Sequence, residues 1–207
     1  MAVANKNRLT DNNGVMTKTS TVKRIEILIR GLPPGIIFQG KGVMAADECE
    51  SGKKKKHREP AEEARLRAHW MTVAGKKELC IPWVMLYQSI CTAAGSFKFR
   101  GQKTMSTIVA ATISCETDRI SLNTDQFEVL EEYVKIPPKT GSMVLIGRPR
   151  LPKWQATFVL VVDDEMYAAE NLRDIIAHAG KLVGIGAWRP QLKGPYGRFE
   201  VSDFEIL

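Results

Sequence analysis

None of the four cysteines, Cys49, Cys80, Cys91 and Cys115, stands in a Cys-x-x-Cys pair, and the three histidines, His57, His69 and His178, are as widely scattered. Structural zinc needs paired thiolates or imidazoles at short spacing, so no metal site is expected. A disulfide framework of the kind that staples small secreted domains has as little support, and a reducing, cytoplasmic setting is the expectation. No apolar run reaches the roughly 18 residues that a membrane span requires. The first twenty residues are polar and lack the apolar core of a secretion signal. The Gly-Lys-Ser/Thr ending of a phosphate-binding Walker loop is missing. No serine or cysteine has an evident base partner, so neither catalysis nor a cofactor is expected.

What the sequence has is a concentrated positive charge. The 207 residues are 44% hydrophobic and 26% charged, ordinary values for a chain that fills one globular domain. Net charge is +7 and the sequence pI about 9.3. From Lys53 to Lys103, twelve Lys and Arg face four Glu, an excess of eight that exceeds the net charge of the whole chain. Clustered cations of this kind neutralise phosphates and release condensed counterions, which makes a polyanion the expected partner.

Periodicity organises the rest. Residues 1–20 read as a flexible lead-in and 21–207 as a single domain carrying a basic insertion at about 40–77. Thr21–Arg30 alternates apolar and charged residues as a half-buried strand does, and Gly31-Leu32-Pro33-Pro34-Gly35 ends it. Within the insertion, Pro60 followed by Glu62, Glu63, Arg65 and Arg67 predicts a short helix oriented with its dipole. A second helix is predicted from Pro82 to about Ala94, with Ile81, Val84, Met85, Ile90 and Ala94 on its buried face and Gly95 at its end. Thr107–Cys115, Phe127–Ile136 and Gln155–Val162 read as strands, the second broken by Pro137-Pro138. Asp163-Asp164-Glu165 offers an N-cap for a helix from Met166 to about Ala179, closed by Gly180. A glycine-rich loop and a terminal strand, FEVSDFEIL, finish the chain. This order predicts an α+β fold: a ferredoxin-like (RRM-like) split βαβ antiparallel sheet, helices on one face, extra β-hairpins, and the other face open to a ligand.

Three segments resemble the RAMP superfamily, the ferredoxin-like RNA-binding proteins of CRISPR systems, and within it the backbone subunits that coat guide RNA. They are the first strand and its turn, IEILIRGLPPG; the strand–Ile-Pro–helix segment ELCIPWVMLYQSICTAAG; and the stretch from Leu172 to Phe199, ending Pro195-Tyr196-Gly197-Arg198-Phe199. The chain is shorter than such subunits and has no extended thumb beyond the Gly101 to Gly141 hairpins, as a compact solitary member carried by a bacteriophage or mobile element would be. The resemblance implies a non-catalytic protein of antiviral defence. It would grip single-stranded guide RNA, meet a DNA target, and self-associate along RNA or with other effector subunits. Other readings stay open: a phage single-stranded DNA-binding or structural protein, an inhibitor of CRISPR immunity that imitates a backbone subunit, or an RNA endonuclease. Relatives that cut RNA place an Asp after the first strand. Asp47, seventeen residues beyond Arg30 and in no recognisable motif, is not assigned that role.

The expected nucleic-acid contacts fall in three groups. Gly184, Gly186 and Gly197 let backbone amides approach phosphates, and Arg189 and Arg198 beside them can pair bidentately. Trp188 and Tyr196 are assigned to the core, although either could stack on a base. The run Lys53, Lys54, Lys55, Lys56 and Arg58 reads as a clamp on the backbone, or else as a solvated loop. In the third group Phe97 and Phe99 alternate with Lys98 and Arg100, followed by Lys103; the phenylalanines are expected to face the core and the cations to face outward.

Overall fold

Alternation in the first strand sets the architecture. In β1 (Val22–Gly31), Ile25, Ile27 and Ile29 are completely buried while Arg24, Glu26 and Arg30 are exposed, as side chains that point alternately to opposite faces require. The computed structural model describes residues 22–38, 59–99, 103–136, 142–163, 167–168 and 170–207. After β1 come β2 (Ile36–Ile37), α1 (Pro60–Arg67), β3 (Trp70–Val73), β4 (Lys76–Pro82), α2 (Trp83–Ala94), β5 (Lys98–Phe99) and β6 (Lys103–Thr104). Then follow α3 (Ser106–Thr112), β7 (Ile113–Cys115), β8 (Arg119–Ser121), β9 (Glu128–Ile136), β10 (Ser142–Leu151), β11 (Gln155–Asp163), α4 (Glu170–His178) and β12 (Phe199–Ile206).

β1 is antiparallel to strands on both sides. Ile27 stands opposite Phe158 of β11 and opposite Phe204 of β12. With β7 against β11, the sheet runs β12-β1-β11-β7. The protein is therefore α+β with antiparallel sheets. The core-facing isoleucines of β1 join Phe158, Leu160 and Val162 of β11 in one apolar cluster with Leu86 and Ile90 of α2 and Leu172, Ile175 and Ile176 of α4. Each buried isoleucine or leucine contributes about 1.5–3 kcal/mol relative to exposure. Among the described residues, no helix is long and apolar enough to cross a membrane.

Several expectations change. The buried face of α2 is Leu86, Ser89, Ile90, Ala93 and Ala94; Val84 is exposed and Met85 half-buried, because the helix rests on the sheet about one position further round than Ile81 and Val84 imply. The segment expected as a strand from Thr107 is instead α3, and only Ile113–Cys115 is extended. Its β-branched residues favour a strand, but docking on α2 overrides that weak preference. Val109 is fully buried, Ser106 Oγ donates to the Cys91 carbonyl at 2.8 Å, and Tyr87 Oη donates to the Ala110 carbonyl at 2.9 Å. Asp163 is no N-cap: it pairs with Val22 at the end of β11, and α4 starts at Glu170. Nor does Gly180 end that helix; a π-helical turn, Ala179–Val183, continues it to Gly184.

The insertion also contributes packing. Residues 39–58 lie outside the described residues, but α1 forms where Pro60 and the early acids predict it. Glu63, nearly buried, accepts the Gly147 amide of β10 at 3.0 Å and the Arg67 guanidinium at 2.6 Å. That fastens α1 to the β9–β10 hairpin. β10 itself escaped the sequence reading because Gly147 and Pro149 interrupt its pattern.

The 184–199 loop is docked by backbone hydrogen bonds onto the turn that follows β1. The Gly197 amide donates to the Gly35 carbonyl (2.8 Å), Ala187 to Ile37 (2.8 Å), and Leu32 to Arg198 (2.9 Å). Gly186 sits at φ +81, where a Cβ would lie 2.4 Å from the Ile37 carbonyl oxygen. Gly186→Ala is expected to lower the stability measured by urea unfolding by more than about 1–3 kcal/mol, collision adding to backbone strain. Gly75, at φ +80 with nothing within 4 Å, isolates the strain alone; Gly75→Ala should cost less, and equal losses would deny the close approach. Ser89 gives the opposite sign. Its Oγ is buried in α2 with no hydrogen-bond partner, so Ser89→Ala should raise stability by about 1 kcal/mol. A loss on the same urea curve would contradict that.

Candidate nucleic-acid interface

From Lys181 to Phe199 the chain carries Lys181, Arg189, Lys193 and Arg198 and no Asp or Glu. The expected loop residues Gly184, Gly186, Arg189, Gly197 and Arg198 are brought together by the docking described above. All three glycines are buried at positive φ. The Gly184 amide donates to the Ala179 carbonyl at 2.7 Å, and the Gly197 amide to Gly35. These two amides therefore hold the loop, and cationic side chains are left to meet a ligand. Arg198 is exposed. Arg189 is half-buried, its Nε donating to Gln191 Oε1 at 3.1 Å and a terminal nitrogen to the Gly186 carbonyl at 3.2 Å. The two bonds fix the plane of the guanidinium before any ligand arrives.

Arg189 lines a cleft of about 410 Å³ between the glycine loop and helices α2 and α3, together with Gln88, Cys91, Thr92, Ser106 and Gln191. Burial pushes the Cys91 thiol up, an effect that its hydrogen bond with Tyr87 only partly offsets. It stays a neutral thiol there and lacks the thiolate character of a nucleophile. Among the described residues no group of three or more His, Cys, Asp or Glu could hold a metal ion.

Lys98–Phe99 (β5) pairs antiparallel with Lys103–Thr104 (β6). Phe97 and Phe99 pack against the core, Phe97 edge-on to His178 at 5.4 Å, while Lys98 is exposed. Lys103 pairs with Phe99, and β6 leads through Met105 to Ser106 on the cleft wall. Lys53, Lys54, Lys55, Lys56, Arg58 and Arg100 lie outside the described residues.

Sequence reasoning placed Trp188 in the core. It is 48% exposed, at φ +49. Tyr196, half-buried, lies beside it with ring centroids 6.4 Å apart and planes tilted 46°. Arg150, also missed, reaches over the Tyr196 ring at 6.0 Å while its Nε donates to the Pro34 carbonyl at 3.3 Å. The signal for Trp188 was its setting: a loop with neither helical nor strand period offers no face on which to bury an indole. Arg150 had no such signal, since it arrives from β10 across more than thirty residues of sequence.

The open face of the main sheet has the opposite character. Arg24, Glu26, Leu28 and Arg30 of β1 point there, with Glu205 of β12 opposite Glu26, Asp203 opposite Leu28 and Glu200 opposite Arg30. Glu26 stands directly across from Glu205, and Arg24 is tied to Glu116 at 2.7 Å, which raises its pKa further. Sheets that read RNA stack bases on exposed aromatics. Among the described residues this face has none, and carboxylates dominate it. On β1 and β12 the expected ligand face thus carries more carboxylates than cations, whereas the 184–199 loop carries no carboxylate.

No family model matches the chain, and no curated protein matches it. Among solved structures it is similar to a chain of the Type III-B Cmr-beta complex bound to cognate target RNA, determined by cryo-EM. Identity is 11% and the TM-score 0.49, over 90% of this chain and 61% of that one, so the chain spans about three fifths of that protein's length. It is also similar to a chain of a CRISPR RNA-guided surveillance complex, at 11% identity and a TM-score of 0.44, over 90% of this chain and 68% of the other.

Proposed function

We propose that this chain is a non-catalytic protein that grips single-stranded RNA by its phosphates at the loop end of the main sheet. The observation that carries the reading is the 184–199 loop. It is docked by backbone hydrogen bonds, free of carboxylates, and presents Arg189, Lys193 and Arg198. Arg150 stands beside it, while the acidic sheet face turns a polyanion away. Rigidly held guanidiniums suit phosphate because their planar fork donates two hydrogen bonds at once.

The strand order supports a ferredoxin-like reading of the fold. β1–α2–β7 and β11–α4–β12 are two split βαβ units whose strands interleave as β12-β1-β11-β7. The three motifs resembling the RAMP superfamily support RNA ahead of DNA and the role of a guide-RNA-coating subunit that associates with copies of itself or with other effector subunits. The excess of cations from Lys53 to Lys103 supplies further phosphate contacts. Burial keeps the Cys91 thiol neutral, and among the described residues the cleft lining has no carboxylate or histidine.

Wild-type protein should bind labelled single-stranded RNA with an affinity that falls linearly against log salt. Arg189→Ala and Arg198→Ala should each flatten that slope by about 0.7 without lowering the melting temperature by more than a few degrees. Normal binding by both variants would remove the loop as the grip. Incubated with magnesium or with a chelator, the RNA should stay intact; cutting in either would overturn the non-catalytic reading.

A further inference from the structure

Trp188 combines two departures from folding economy, a positive φ and an exposed indole. A bulky L-residue in the left-handed region costs about 1–3 kcal/mol. An indole left in water forgoes the burial for which aromatic side chains are otherwise used. Both penalties fall on one residue, at φ +49 and 48% exposure. The surrounding loop enforces them: the Tyr196 amide donates to the Trp188 carbonyl and the Gly194 amide to the Arg189 carbonyl, both at 3.1 Å. Backbone strain held in place by its surroundings, with a large ring pointed outward, marks a ligand contact.

The neighbours define the ligand. The Trp188 and Tyr196 rings are tilted at 46° and do not close on each other as a stacked pair. Arg150 lies over Tyr196, fixed by Pro34, with Glu128 at 3.7 Å from its guanidinium. Arg189 follows Trp188 directly and Lys193 lies four residues beyond. Two flat faces with a guanidinium over one of them, on a loop that also carries Arg189 and Lys193, match a base joined to its phosphates, since every base offers a π-face and guanidiniums add cation–π attraction. A purely apolar partner would leave those cations desolvated without compensation.

We propose that Trp188 and Tyr196, with Arg150, form a stacking subsite for one unpaired nucleobase of the bound strand. The proposal rests on the RNA-binding reading and deepens it: phosphates give affinity at Arg189 and Arg198, and the stacked base gives preference for single strands over duplex.

The test uses the full chain and fluorescence anisotropy with three probes of one length: an oligouridylate, the same strand with abasic riboses, and an RNA duplex. Wild type should bind the intact strand about tenfold or more better than the abasic one. Trp188→Ala should lose that preference while keeping its log-salt slope, because stacking releases no counterions. Trp188→Phe should restore most of the preference. As Trp188 is exposed, the Ala variant should fold and melt no lower than wild type. Equal, salt-sensitive binding of intact and abasic strands by wild type would overturn the stacking subsite and leave the RNA reading standing. Absence of binding to any probe would remove both. Should Trp188→Ala bind RNA as wild type does but lose self-association on sizing, the platform is a protein contact and the proposal fails.

Discussion

Everything proposed for the loop end depends on the backbone hydrogen bonds that join residues 184–199 to the turn after β1. Gly35, Ile37 and Leu32 lie just past the end of β1, and Gly197, Ala187 and Arg198 meet them main chain to main chain. Such contact is available only where side chains do not intervene, which is why Gly186 presses on the Ile37 carbonyl. The loop is thereby mounted on β1, whose isoleucines belong to the apolar core. Under the proposed function, cations carried on so fixed a backbone lose little entropy when they engage phosphate.

Charge is partitioned over the same frame. One end of the sheet carries Arg189, Lys193 and Arg198 without a carboxylate in the loop, and the open face sets Glu26, Glu200, Asp203 and Glu205 against Arg24 and Arg30. Glu26 and Glu205 directly opposite each other weaken the β1–β12 pairing slightly. In the proposed reading this field steers single-stranded nucleic acid off the sheet and toward the loop, in contrast to sheets that display aromatics to RNA. The aromatic pair has moved with the charge: Trp188 and Tyr196 sit on the loop and not on a strand.

Much of the fold was legible from periodicity. The alternation of Val22–Gly31, the Pro-to-Gly bounds of α2, the apolar run of β11 and the terminal strand are local patterns, and all form where the sequence predicts them. What failed was decided at a distance. Thr107–Thr112 is helical because Val109, Ser106 and Ala110 meet α2, and Asp163 is extended because Val22 lies across from it. β10 was hidden by Gly147, whose missing side chain admits Pro60 of α1. In the loop, the cations were found by composition, yet Trp188 was assigned to the core because hydrophobicity carries no information about a positive φ. Arg150 reaches Tyr196 only through the sheet of β9 and β10.

In the proposed function a strand lies along the loop end and avoids the open sheet face, a placement that photocrosslinking of single-stranded RNA to the protein, followed by mapping of the modified peptides, would reveal. Crosslinks should concentrate in residues 184–199, at Trp188 and Tyr196 above all. Crosslinks on the outward positions of β1 and β12 around Glu26 and Glu205, with none in the loop, would contradict that placement.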